Sequence, residues 1–154
     1  MMIRKMEASD IPDCADILCG VYNNELWQCR WDRGTAIRYL TDFFRAEKFI
    51  GFVLEHEGRI VAAMFCREKV WWNNSELVIE EMFVRPECQR QGFGTALLQK
   101  AEEYVIDRGL AGITLATNRC APAPAFYKKN GFAEYGHVLY MGKAVQPNPD
   151  QQTS

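Results

Sequence analysis

Residues 77–98 run Leu-Val-Ile-Glu-Glu-Met-Phe-Val-Arg-Pro-Glu-Cys-Gln-Arg-Gln-Gly-Phe-Gly-Thr-Ala-Leu-Leu, which joins a strand to a helix through a glycine turn. The apolar set up to Val84 has strand character, and Pro86 ends it. Leu97, Leu98, Ala101 and Val105 then recur at helical spacing as far as Gly109. Gly92 and Gly94 open that helix. Glycines there let backbone N–H groups come close to a ligand. A helix N-terminus adds unpaired donors and roughly half a positive charge. Such a turn suits a pyrophosphate, and Arg90 beside it supplies a guanidinium.

Three phosphate-binding turns compete for this segment. The dinucleotide fingerprint wants a third small residue where Leu97 stands, and an acid at the end of the next strand, which closes instead in Ala116-Thr117-Asn118. The Walker loop needs Gly-Lys-Ser/Thr, which the chain lacks. The pattern left is Gln/Arg-x-x-Gly-x-Gly/Ala, matched by Gln89, Gly92 and Gly94.

Around it the periodicity is that of one mixed α/β (α+β) domain. A short strand over 3–6 precedes a helix carrying Ile11, Cys14, Ala15, Ile17, Leu18 and Val21 on one face, with Ser9 or Asp10 as its cap. Residues 22–34 are irregular, and a second helix carries Ala36, Ile37, Leu40, Phe43 and Phe44. Strands over 49–55, 59–72 and 76–84, joined by turns at Glu57-Gly58 and Asn73-Asn74-Ser75, make an antiparallel meander. After the glycine-opened helix come a strand over 113–116, a short helix over 123–130 and strand again over 132–143, broken near Gly136. The expected division is one domain over 1–145 and a mobile polar tail over 146–154.

A length of 154 residues with 48% hydrophobic and 25% charged residues suits one well-cored domain. A net charge of −2 without like-charge blocks argues against nucleic-acid and membrane partners. Six cysteines without C-x-x-C spacing, and only two histidines, argue against a metal. With no apolar leader or span, the expectation is a cytoplasmic protein with reduced thiols.

A second motif follows at 123–132, Ala-Pro-Ala-Phe-Tyr-Lys-Lys-Asn-Gly-Phe. With the strand and turn of 79–98, in this order and separation, the chain resembles the GNAT superfamily of acyl-CoA-dependent N-acyltransferases, whose pattern here is A-x-x-F-Y-x-x-x-G-F. The resemblance implies a single-domain, mostly antiparallel sheet flanked by about four helices, with a parallel strand splay that holds acetyl-CoA as co-substrate. It places the main chain of Met82, Phe83 and Val84 on the pantetheine arm. It wraps the pyrophosphate in Gln89, Arg90, Gln91, Gly92, Phe93, Gly94 and Thr95. The family's usual asparagine for the arm falls on Cys120, so Asn118, two residues early, is the substitute.

Acetylation of an amine needs a neutral nucleophile, an oxyanion donor and a proton for the departing thiolate. Tyr127 occupies the position of the family's acid. Glu80 and Glu81 stand in an otherwise apolar strand, and a period of two sends them to opposite faces. Glu80 is the favoured proton acceptor and Glu81 the alternative. Trp27 and Trp31, with Glu25 and Asp32, can receive a cation or simply pack the first helices, and Trp72 joins the acceptor lining. The expected reaction is direct attack, in a ternary complex, by the primary amine of a small cation, aminoglycoside- or polyamine-like. The bulk of Trp71 and Trp72 favours this over a peptide or protein amine. A non-catalytic CoA-binding module is the reading from another class, and a homodimer is compatible with all three.

Overall fold

The order of elements follows from where apolar residues recur. In the computed structural model, which describes residues 1–146, β1 (Met2–Lys5) leads into α1 (Ile11–Tyr22) and α2 (Arg33–Phe44). The meander β2 (Phe49–His56), β3 (Arg59–Lys69) and β4 (Glu76–Val84) follows, then α3 (Phe93–Arg108), β5 (Ile113–Leu115) and α4 (Ala123–Lys129). The sheet order is β1-β2-β3-β4-β5. The first three pairings are antiparallel, and the α3 crossover makes β4–β5 parallel.

Both faces of the sheet are covered, which explains why β3 is buried without interruption from Ile60 to Cys66. Val53, Ala63, Phe65 and Phe83 face α1 and α2, where Ile17, Leu18 and Leu40 complete one core. Their neighbours Leu54, Ala62, Met64 and Cys66 face α3, where Leu97 and Leu98 complete the other. Asp32 caps α2 by accepting from the Thr35 N–H at 2.8 Å. Arg4 places two N–H groups on the Asp10 carboxylate, each at 2.8 Å, which fastens β1 to the entry of α1.

One irregularity decides the orientation of the acidic residues. Phe65 pairs with Glu81 but Cys66 pairs with Ile79, so Glu80 is an extra residue in β4. A bulge breaks the period of two. Ile79 stays in the α3-side core while Glu81 turns to the α1/α2 side. Glu80 reaches Arg67 on β3, two residues along from Phe65. Its charge acts on Tyr39 of α2, as does that of Glu81. The opposite-face expectation for Glu80 and Glu81 is therefore corrected.

Among the described residues the sheet has five strands, and the expected strand over 132–143 does not form. Gly136 and Gly142 interrupt that segment, and the edge strand β5 offers only three residues for pairing. Val138, Leu139, Tyr140 and Met141 are exposed there. Strand β3 stops at Lys69 instead of Trp72. Of the expected tail over 146–154, the residues from 147 onward lie outside the described residues. Among the described residues no helix is long and apolar enough to cross a membrane.

Candidate active site

Strands β4 and β5 pair only through Leu77↔Ile113, Val78↔Thr114 and Ile79↔Leu115. Beyond that point β4 continues to Val84 beside β3 alone. This is the parallel splay. It leaves the β5-side backbone of Met82, Phe83 and Val84 without a strand partner among the described residues. The Gln89 side-chain amide donates to the Val84 carbonyl at 3.2 Å and ties the following turn to the strand end.

The turn has the properties an anion needs. Arg90 and Gly92 both adopt left-handed backbone, with φ of 64° and 86°. No side chain caps α3. Its first-turn N–H groups at Phe93, Gly94 and Thr95 are thus left for an external acceptor. A Cβ on Gly92 would meet nothing within 4 Å, so the space in front of the turn is open. Gln89, Arg90 and Gln91 are exposed around it. The residues present fit a pyrophosphate. Gly94 has a different reason to be glycine: a Cβ there would lie 3.0 Å from Cζ of Phe126, so it lets α4 pack on the start of α3. The two sequence motifs meet at that contact. The Phe93 ring is buried against His56, at 5.1 Å between centroids, and contributes only its backbone to the turn.

Tyr127 sits half-buried on α4, edge-on to Phe126 at 5.3 Å and to Phe132 at 5.4 Å. Its hydroxyl has no hydrogen-bond partner among the described residues. Burial pushes this phenol above its ordinary value, and the Glu81 charge adds to the shift. It is a protonated donor at neutral pH.

Glu81 is held on both carboxylate oxygens. Tyr22 of α1 donates to its Oε1 at 3.1 Å, and Tyr39 of α2 donates to its Oε2 at 2.6 Å. Burial raises the Glu81 carboxyl above the usual range, while the Tyr39 and Tyr22 hydrogen bonds oppose that rise. Glu80, by contrast, is ion-paired to Arg67.

Around Glu81 the structure brings together residues that the sequence treated separately. The Trp27 ring meets Tyr22 edge-on at 5.0 Å, and the Trp31 ring leans on Tyr39 at 4.9 Å. Glu25 is exposed on the same irregular segment. Trp72 lies in the turn after β3 and is 85% exposed. Asn118 uses its Oδ1 to accept the Cys120 N–H at 2.9 Å within an exposed turn, which leaves its amide donors free of that bond. Sequence reasoning puts the segment from Tyr22 to Arg33 and the second helix in the acceptor lining but does not single out Tyr22 and Tyr39 as partners of Glu81. Each stands near the core-facing stripe of its helix, Tyr22 four residues after Leu18 and Tyr39 three after Ala36. An acid in an otherwise apolar strand, which needs donors from whatever packs on it, was the signal that could have singled them out.

The family model for the GNAT family of acetyltransferases matches residues 19–132. An uncharacterised N-acetyltransferase of Methanocaldococcus jannaschii is 38% identical over 88 residues, 54% of this chain. The match spans 38% of that relative's length. Among solved structures, a possible acetyltransferase from Clostridium difficile 630 superposes with a TM-score of 0.79 at 19% identity, covering 94% of this chain and 98% of that one. An aminoglycoside acetyltransferase from an uncultured soil metagenomic sample, in complex with sisomicin, gives 0.72 at 16% identity, with 94% and 96% covered. These two likenesses concern the fold. The splay, the uncapped glycine turn and the extent of the family match agree, and the chain belongs to the GNAT family of acetyltransferases.

Proposed function

We propose that this protein transfers an acetyl group from acetyl-CoA to the primary amine of a small cationic molecule, by direct attack in a ternary complex. The observation that carries the reading is a half-buried carboxylate on β4, Glu81, held by two phenols near the end of a strand splay whose outer turn fits a pyrophosphate, with its charge reaching the protonated phenol of Tyr127. Acetyl-CoA supplies the activated acyl group. The turn from Gln89 to Thr95 holds its phosphates, and the β4 backbone from Met82 to Val84 holds its arm. Glu81 takes the proton of the ammonium, directly or through water, and Tyr127 Oη gives a proton to the leaving sulfur. Bonding to two neutral phenols leaves Glu81 open to a cation, whereas Glu80 is already compensated by Arg67. The geometry therefore favours Glu81 over Glu80 as acceptor. Trp27 and Trp31 pack against the two phenols that hold this carboxylate, an aromatic surround that suits a small organic cation.

Acetyl-CoA at about 100 times its Kd should stabilise the fold by about 2.7 kcal/mol, raising Tm by roughly 5–10 °C. NADH at equal concentration should leave Tm unchanged. A shift with NADH alone would overturn the assignment of the turn, and thiol release across an amine panel then reads the acceptor. In that assay Glu81→Gln should lower kcat/KM roughly 10²-fold at neutral pH, where the amine is mostly protonated. Glu80→Gln should stay within a few-fold. The reverse order would return the base role to Glu80.

A further inference from the structure

Glu81 is held by a pair of phenols from two different helices, one on each carboxylate oxygen. We infer that Tyr22 and Tyr39 are positioning residues that fix the plane of the Glu81 carboxylate, so that a free lone pair on each oxygen faces the acceptor amine. The inference rests on the reading of Glu81 as the proton acceptor.

A glutamate alone turns freely about its last torsion, and a single donor leaves that rotation open. Two donors on different oxygens stop it. The Tyr39 contact, at 2.6 Å, has the short separation of a hydroxyl on an ionised carboxylate, and the Tyr22 contact at 3.1 Å is the weaker of the two. Neither ring is loose. Trp31 and Phe43 bracket Tyr39 at 4.9 and 4.8 Å, and Trp27 backs Tyr22 at 5.0 Å. Trp27 and Trp31 thus reach the carboxylate through the phenols they support.

Proton transfer breaks an N–H bond of the ammonium and forms an O–H bond on a free lone pair of Glu81, while both phenols keep their own protons. Burial and the Glu81 charge raise both phenols above their ordinary value, so they remain donors over the working range. The other ionisable groups near Glu81 are Glu80, itself paired to Arg67, and Tyr127 of α4. Among the described residues only the two phenols donate to it.

The test is the titration of the Glu81 carboxyl, read by carbon-13 NMR in wild type, Tyr39→Phe and Tyr22→Phe, beside the pH profile of kcat/KM. Loss of a donor to the charged form raises the carboxyl pKa, so both the titration and the acid limb should move upward. The expected shift is about one pH unit for Tyr39→Phe and less for Tyr22→Phe. The high-pH plateau should fall about tenfold in either variant, because a carboxylate free to turn is a poorer acceptor; a wild-type plateau in both overturns the positioning role. An unmoved titration in both variants overturns the inference while leaving Glu81 as base. Wild-type turnover in Glu81→Gln overturns the base reading, and the inference with it.

Discussion

Tyr127→Phe is expected to lower kcat by about 10² to 10⁴ while acetyl-CoA affinity stays within a few-fold. The substitution keeps the ring between Phe126 and Phe132 and removes only a hydroxyl that bonds to nothing among the described residues. Stability should therefore change by about 1 kcal/mol or less. Burial raises this phenol, so the variant removes a neutral donor at every pH where the enzyme works. Loss of turnover without loss of binding, followed by thiol release and calorimetry, separates proton donation from cofactor positioning. Full activity would mean that water protonates the thiolate, or that it leaves unprotonated.

Gly92→Val should weaken acetyl-CoA binding by at least about 100-fold. Gly92 stands at φ 86° with open space where its Cβ would project. A branched side chain there fills the approach to the first-turn donors of α3. It also forces a backbone conformation that costs a side-chain-bearing residue roughly 1–2 kcal/mol. Two charge-assisted hydrogen bonds, at about 1.5–3 kcal/mol each, account for the loss of affinity. Gly109 supplies the control. It caps the far end of α3 at φ 66°, also with open space around its Cβ position. Gly109→Val should show a comparable fall in Tm with unchanged acetyl-CoA affinity. Equal affinities in the two variants would remove the turn from the cofactor site.

The sequence alone determined the elements whose period is set by burial over many residues. The meander, α3 and the inward faces of α1 and α2 are legible because each repeats its apolar spacing through several turns or strand pairs. The glycine turn was legible for another reason. Its conformation demands glycine at Gly92 whatever packs around it.

The segment over 132–143 was misread because strand formation needs a paired edge, which residue types do not record. Glu80 and Glu81 were misread for a related reason. A bulge is a property of two strands in register, so the two-residue period assigned them to faces that the β3 pairing does not allow. Gly94 could be seen as a turn residue, but its contact with Phe126 joins parts of the chain 32 positions apart. Tyr22 and Tyr39 are 59 and 42 residues from the acid they bind. Local pattern carries no trace of such separations. Only the tertiary structure, which packs α1 and α2 on one face of a bulged β4, decided that two helical tyrosines and one strand carboxylate form a single group.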